Sequence, residues 1–468
     1  MTPISLLLIG TLFTLLGCCL GILTGLIPGF HVNTVSFLIL SFQSALVLFA
    51  LSLTGGLDPS IEHIIALISV LIIGCVVTHT FLNFIPATYL GAPEGETALS
   101  VLPAHRMLLK GRGYEAIKAS ALGSLGASML ALLLIFPARF IMGNPINLYD
   151  KLVPYIPLIL LFVVTILILQ EGPTLLEYKE KLVALGVFLL SGFLGFSILF
   201  PGGISAHVWA PFEQEGLSNS SILLFPLFTG LFGISNLLVS LMDNPDIPEQ
   251  HTDGIEIGLE DKNKLRGTIA GTFSGGLVGW LPGITGAAAT AVTRIFLSND
   301  DSEEVQAREY IMSVSAVDTS CAIFTIVALF VIMKARSGAM QAVFKINEDF
   351  LSSWNSMTNL PWLMALLLFS VILSSGIAYV LTLWFGKAFS GIHQKIEYSK
   401  ISKGIIVFLI ILIFIFSGPV GLLVAAVSGA IGLIPPLYGI KRVHLMGCII
   451  FPIILFLTGF DQFVINII

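Results

Sequence analysis

Long apolar runs dominate the sequence and restrict the chain to a membrane fold. Runs of about 20 residues recur along the whole length, and a run of that size spans the hydrocarbon core of a bilayer as a helix. Hydrophobic residues make up 56% of the 468 residues and charged residues only 11%, whereas soluble domains carry about 25% charge. We therefore predict an all-α polytopic membrane protein with about 10–12 membrane spans in the lipid bilayer.

Two apolar runs are interrupted by a Pro-Gly pair, and we name residues 25–34 the first break and residues 279–286 the second break. Pro282 follows Pro28 by 254 residues, a little over half the chain. Proline removes a backbone donor and glycine loosens the backbone, so each pair should interrupt a helix. In lipid, such an interruption persists only where protein or a wet cavity satisfies the freed groups.

The order of spans after each break indicates an internal repeat. Each break is followed by a span ending in a loop of polar or small residues, and then by four further spans. The loops at 104–118 and 334–360 correspond in this order and fall on opposite sides of the membrane. We therefore predict two inverted-topology repeats, 1–245 and 246–468, with broken or re-entrant helices at the breaks, which together form one transport domain.

Basic loops set the expected orientation, because Lys and Arg concentrate on the cytoplasmic side. The loop at 200–220 has no Lys or Arg, and the basic loops are 104–118, 179–181, 262–266 and 386–403. With the basic loops inside, the N- and C-termini both lie outside. The loops at 137–151 and 334–360 fit this arrangement less well, since both also carry basic residues. The expected location is the cytoplasmic membrane.

Three stretches together carry a resemblance to a known family. They are Gly21-x3-Gly25-Leu-Ile-Pro28-Gly29; Thr80-Phe-Leu-Asn83-Phe-Ile-Pro86 with Gly91-Ala-Pro93-Glu94 and the block 102–113; and Gly271-x3-Gly275 continuing to Gly286. In order and spacing, they resemble the large membrane subunit of the tripartite tricarboxylate transporters, the TctA-like family. The chain is similar to a divergent, archaeal-type member. It departs from the family in its second half, where Ser315–Ser320 and Lys334-Ala-Arg336-Ser-Gly338 replace the usual acidic and paired-Asn stretch and Gly-Ile-Pro-Gly turn.

The resemblance implies a permease, not an enzyme. In bacterial relatives this subunit works with a small membrane subunit and a periplasmic solute receptor, so it implies both kinds of partner here. The sequence leaves open whether the chain forms a homodimer. The net charge of −6 is spread over loops, and we expect no nucleic-acid partner and no cofactor or metal beyond a coupling ion.

The two breaks supply the candidate substrate site. Amides at a helix N-terminus are unpaired and lie at the positive end of the helix dipole, so they bind anions. A matched pair of new helix starts would suit a carboxylate or phosphate. The alternative is that both are kinks that only allow close helix packing. The candidate substrate-binding residues are Gly25, Pro28, Gly29, Asn33, Thr34, Asn83, Thr88, Gly279, Pro282, Gly283, Thr285 and Gly286.

Asp318 is the leading candidate for ion coupling, because a carboxylate within an apolar run is costly and often functional. With Thr319 and Ser320 it could bind Na⁺ or carry a proton. The alternative is a hydrated residue near a helix end. His31 and Glu94 are further candidates, although a lone His is more often a satisfied polar residue in the core and Glu94 suits a solvated loop.

The sequence therefore predicts a secondary transporter for a small organic anion, a carboxylate in the favoured form. Coupling to Na⁺ or H⁺ and alternating access between the repeats would drive it. The alternative is a polyprenyl-phosphate translocase, whose anionic headgroup would suit the same half-helices. An intramembrane enzyme would need a catalytic dyad, which Asp318 alone does not form. No Walker motif is present, so ATP-driven transport by this chain alone is not expected.

Overall fold

The fold is taken from a computed structural model of the chain. It describes residues 3–27, 32–53, 60–89, 101–169, 171–172, 178–200, 203–204, 219–243, 248–252, 254, 257–281, 286–297, 302–356, 358–392 and 398–461. These residues form α-helices joined by short 3₁₀ and π-helical turns, and this described part contains no β-strand. The all-α prediction is confirmed.

Twelve helices precede residue 250. They are α1 (Pro3–Leu26), α2 (Val32–Ser41), α3 (Gln43–Leu53), α4 (Ile61–Leu82), α5 (Phe84–Tyr89), α6 (Val101–Leu109), α7 (Gly113–Met142), α8 (Leu148–Leu152), α9 (Ile156–Leu169), α10 (Tyr178–Leu199), α11 (Asn219–Phe228) and α12 (Ser235–Asp243). Seven follow: α13 (Asp261–Val278), α14 (Gly286–Thr293), α15 (Glu303–Val331), α16 (Gly338–Ile346), α17 (Trp362–Ile392), α18 (Tyr398–Tyr438) and α19 (Gly447–Thr458).

Nine helical segments within the described ranges are long and apolar enough to cross a membrane. They fall within α1, α4–α5, α7, α8–α9, α10, the α11–α12 region, α15, α17 and α18. Large apolar side chains such as Leu133, Phe162 and Trp384 are exposed on their outer faces, as expected for surfaces that contact lipid. The chain is therefore a multi-pass membrane protein.

The spans pack into two bodies, each with its own hydrophobic core. The main body contains α1–α7 and α13–α17, and residues such as Ile72, Phe330 and Met364 form its core. The second body contains α9–α12, α18 and α19, with Leu227 and Val424 among its core residues. Each body therefore draws helices from the first and from the second half of the sequence.

Small residues allow two helix pairs of the main body to approach closely. Glycines four residues apart on α1 face carbonyl oxygens of α4, and glycines four residues apart on α13 face carbonyl oxygens of α15. A Cβ at these positions would lie only 2.2–3.3 Å from those oxygens, which is the contact that small residues permit between membrane helices. The pairs are Gly17–Leu71, Gly21–Cys75, Gly25–His79, Gly271–Ser313, Gly275–Val317 and Gly279–Cys321.

Replacing Gly275 by alanine should destabilise the protein by about 1–3 kcal/mol, the usual cost of overpacking. The new Cβ would lie 2.3 Å from the Val317 carbonyl oxygen and 2.2 Å from Ser320 Oγ. Gly376 on α17 is the matched control, since a Cβ there meets nothing within 4 Å. Thermal unfolding in detergent should show a lower Tm for G275A and an equal or higher Tm for G376A. Equal melting of both variants would mean that the contact between α13 and α15 is loose.

Candidate functional site

Asn83 and Asp318 join α4 to α15 deep in the main body. Asn83 Nδ2 donates a 2.9 Å hydrogen bond to Asp318 Oδ2. The Asp318 residue is 3% exposed and Asn83 is 1% exposed. Asp318 lies near the middle of the α15 span, so the structure does not place it at a hydrated helix end. A carboxylate at this depth, paired with an amide from another span, is typical of an ion or proton pathway.

Local sequence places Asn83 at a bend. α4 ends at Leu82, and α5 begins at Phe84. Pro86 has no amide hydrogen to donate to the carbonyl of Leu82, so the regular helix hydrogen bonding is interrupted there. Asn83 is the residue at the junction, and its Oδ1 atom is buried with no hydrogen-bond partner among the described residues. The bend therefore leaves a free acceptor beside the Asp318 carboxylate.

Hydroxyl residues neighbour this pair in the sequence of both spans. Thr319 Oγ1 donates to Thr80 Oγ1 at 3.4 Å, and Thr88 Oγ1 is buried without a partner in the described part of the chain. Ser320 Oγ bonds the carbonyls of its own helix at Ala316 and Val317, so it is already satisfied locally. The environment is rich in oxygen, as hard cations and protons require. In the described ranges no three His, Cys, Asp or Glu residues form a metal-binding group.

The two breaks adjoin this region from α1 and α13. α1 ends at Leu26 and α2 begins at Val32, while α13 ends at Val278 and α14 begins at Gly286. Gly25 packs against Leu82 and the backbone of Asn83, and Gly279 packs against Phe324 and the Cys321 carbonyl. Helix α14 packs against α13. Both helices therefore stop beside the two spans that carry Asn83 and Asp318.

Several predicted site residues lie outside the described residues. These are Pro28, Gly29, His31, Glu94, Pro282, Gly283 and Thr285, together with the side chain of Thr34. Of the remaining candidates, Gly286 begins α14, where its carbonyl accepts a 2.8 Å hydrogen bond from Thr290. Asn33 lies on α2, and its Oδ1 accepts from the amide of Ala339 at 3.0 Å.

Residues 332–339, which connect α15 to α16 and include the first two residues of α16, contact both breaks. Arg336 Nη2 donates to the carbonyl of Leu281, the last described residue before Pro282. Three residues later, the Ala339 amide donates to Asn33, near the start of α2. In the sequence, residues 334–338 depart from the family pattern, and no motif there predicts that they lie at the candidate site. The sequence feature that could have indicated a site here is a basic residue where the family has a Gly-Ile-Pro-Gly turn.

A network of ion pairs ties together the starts of α7 and α15. Glu115 is 1% exposed and accepts from Arg308 and from Arg112, each at 2.7 Å. Glu304 pairs with Lys110 at 3.0 Å and with Arg112 at 2.8 Å. From the sequence, the basic residues of the loop 104–118 predict only the membrane orientation, and the acidic residues near Glu304 predict only a solvated loop. The structure instead joins the two into one cluster.

A second buried pair secures α13 to α15. Arg266 Nη2 donates to Glu309 Oε2 at 2.6 Å, and the Glu309 side chain is fully buried. Gly258 N also donates to Glu115 at 3.3 Å. Helices α13 and α15, which share one set of glycine contacts and include Asp318, are therefore also held by charge at the predicted cytoplasmic end.

Comparison with known proteins gives a family. A model of the tripartite tricarboxylate transporter TctA family matches residues 11–447. The uncharacterized protein MJ1079 of Methanocaldococcus jannaschii is 29% identical over 462 residues, which cover 97% of this chain and 100% of that protein. An uncharacterized 52.8 kDa protein from the TAR-I ttuC' 3' region of Agrobacterium vitis is 28% identical over 194 residues, 41% of this chain and 36% of that protein.

No solved structure matches the chain. The family match extends over both breaks and over Asn83 and Asp318, and it confirms the resemblance seen in the three sequence stretches. The family is one of transporters, not of enzymes. This chain belongs to the tripartite tricarboxylate transporter TctA family.

Proposed function

We propose that this protein is a secondary transporter for a small organic anion, a carboxylate, whose uptake is coupled to Na⁺ or H⁺. The buried Asn83–Asp318 pair between α4 and α15 carries the proposal. Family membership gives the class of protein, and the pair supplies what a coupled carrier needs, a titratable or cation-binding group within the membrane. Asp318, Thr319 and the free Oδ1 of Asn83 would bind the coupling ion.

The substrate would bind where the two breaks approach each other. Helices α2 and α14 begin within the breaks, after their Pro-Gly pairs, and the first amides of a helix are available to an anion. The α15–α16 connection supports this location, because it bonds Leu281 in the second break and Asn33 in the first. Pro28, Gly29, Pro282, Gly283 and Thr285 remain predicted contributors.

The glycine contacts support the inverted repeat. Gly17, Gly21 and Gly25 are each 254 residues before Gly271, Gly275 and Gly279. Both sets face carbonyl oxygens spaced four residues apart on one long span. Corresponding elements in the halves 1–245 and 246–468 would thus have equivalent packing, as in transporters built from inverted repeats. We place the alternating movement at the boundary between the main body and the second body, because extensive packing occurs within each.

The partners and orientation follow from the family and the loop charges. We propose a small membrane subunit and an extracytoplasmic solute receptor as partners, with both termini outside the cytoplasmic membrane. A homodimer is a further possibility. The alternative function, translocation of polyprenyl phosphate, would use the same anion-binding elements with a lipid substrate, and the family match favours the carboxylate.

Ligand-induced stabilisation in detergent tests this proposal without any partner subunit. We expect a panel of citrate, tricarballylate, succinate and malate to contain at least one compound that raises the Tm of the purified protein. Added Na⁺ or a lower pH should strengthen the shift, since coupling ion and substrate bind in one cycle. Polyprenyl phosphate is the competitor for the lipid alternative. Stabilisation by that lipid alone would overturn the carboxylate proposal.

A further inference from the structure

Arg336 is a cation that contacts the second break, on the same connection whose Ala339 amide contacts the first break. Its Nη2 atom donates to the Leu281 carbonyl. Its Nε atom is buried and has no hydrogen-bond partner within the described residues. No carboxylate of the described chain forms an ion pair with it, and the ionisable groups that act on its charge are Cys321 and Tyr149. The guanidinium is thus left with donors that protein atoms do not use.

Keeping the Arg336 guanidinium charged in this position costs free energy of folding. Burial lowers the pKa of the Arg336 guanidinium to about 10, so it still carries its charge at neutral pH. Arg336 is partly exposed, and its Nε atom is the part of the side chain that is shielded from water without a partner among the described residues. A partly buried cation without a counter-ion costs some stability, and a single carbonyl acceptor offsets only part of that cost. The charge of Arg336 is uncompensated by protein groups at the junction of the two helix breaks. This indicates that an anion from outside the chain serves as its counter-ion.

The other basic residues of the main body differ in this respect. Arg308 and Arg266 each bond a buried glutamate. Arg139 donates to the carbonyls of Trp354, Asn355 and Asn144 and lies 5.5 Å from the Trp354 ring centroid. These three guanidinium groups have structural partners. Arg336 is placed differently, because its free donors lie beside the chain that leads into the second break.

The surroundings favour a small organic anion over a hydrated inorganic ion. Trp280 directly precedes Leu281 and is 3% exposed, and its ring lies 6.4 Å from that of Tyr149 on α8. Tyr149 also acts on the Arg336 charge. The site therefore combines a guanidinium with aromatic surface, which suits a carboxylate joined to a carbon skeleton.

We infer that Arg336 binds a carboxylate group of the transported anion between the two breaks. This assignment rests on the proposed function and adds to it a charge-bearing residue that determines substrate class. The planar guanidinium presents paired donors that match the two oxygens of a carboxylate. Asn33 accepts a hydrogen bond from Ala339 of the same connection. Through this bond, binding of the anion would affect the position of α2.

Binding of citrate, tricarballylate and succinate to R336Q, R336K and K334Q tests the assignment. Lys334 is exposed and lies two residues away, so K334Q removes one charge from the same connection without entering the site. Calorimetry on the purified full-length protein in detergent at neutral pH gives the dissociation constants. R336Q should weaken binding roughly 30-fold or more, as expected when one partner of a buried charge pair is removed. K334Q should stay within about twofold of wild type.

R336K keeps the charge but loses the paired geometry, and we expect about tenfold weaker binding. If R336Q fails to fold, R336K alone tests whether Arg336 binds the carboxylate. Unchanged affinity in R336K would then overturn the assignment. Wild-type affinity in folded R336Q would likewise overturn the role of Arg336 while leaving the proposed function in place. If the wild-type protein binds none of the three carboxylates and malate does not raise its Tm either, the proposed function and the assignment fall together.

Discussion

Replacing Asp318 by alanine should reduce ion-driven uptake of the carboxylate to background while leaving the protein folded. The substitution removes the carboxylate that Asn83 contacts at 2.9 Å. It leaves no charge to bind Na⁺ or to carry a proton at that depth. Removal of the buried charge offsets part of the cost of leaving the Asn83 donor unpaired, so the protein should remain folded. Uptake into proteoliposomes under imposed Na⁺ and pH gradients measures the effect.

Two further variants separate charge from packing at this position. D318N keeps the size and hydrogen-bonding capacity of the side chain and removes its charge, so it should lose coupling as fully as D318A. S315A is the matched control on the same helix, since Ser315 is buried and bonds Ser120 at 2.7 Å. S315A should transport normally at a cost of about 1 kcal/mol in stability. Gradient-dependent uptake by D318N would remove Asp318 from the coupling mechanism.

Replacing Arg308 by methionine should destabilise the folded protein by about 3–5 kcal/mol. Arg308 bonds Glu115 at 2.7 Å, and both side chains are almost fully buried. Without Arg308, the Glu115 carboxylate loses a buried partner and remains in a poorly solvated position, with Arg112 as its remaining counter-charge. Thermal or denaturant unfolding in mild detergent should show the loss.

The exposed ion pair Lys264–Asp261, at 2.8 Å, provides the control. K264Q should leave the unfolding midpoint unchanged, because ion pairs in solvent contribute little. The double variant R308M/E115L should regain most of the lost stability, since apolar residues can replace a buried ion pair at little cost. If R308M and K264Q melt alike, the Glu115–Arg308 pair is not essential to the fold.

The membrane fold was predictable because hydropathy alone determines which segments enter a bilayer. The long helix α18 shows the extent and the limit of that reasoning. The sequence predicts spans at 404–416 and 419–434, and the structure has a helix from Tyr398 to Tyr438 whose backbone changes direction at Gly418, with φ of 61°. The apolar run of α18 could be predicted from the sequence. The division of spans between two bodies was not, because it depends on contacts distant in sequence.

Individual candidate residues could be named from the sequence, but the contact between them could not be predicted. Asp318 was identified by its position in an apolar run, and Asn83 by the motif around Pro86. They are separated by 235 residues, and only the packing of α4 on α15 brings them together. Arg112 directly precedes α7 and Glu304 lies in the first turn of α15, in two stretches whose composition suggests solvation. Nothing in that composition reveals that the two stretches meet, so their pairing required the structure.

The sharing of each body between both sequence halves affects how the protein is made. During synthesis α4 enters the membrane well before α15 and α17, the helices that later cover it. In the finished protein 94% of the apolar window of the α4–α5 span is buried, and the polar Asn83 of this span is 1% exposed. Until the second half arrives, that surface must face lipid, partner proteins or the insertion machinery. Assembly of the main body is therefore a late event, and the half-made chain is the form most exposed to membrane proteases.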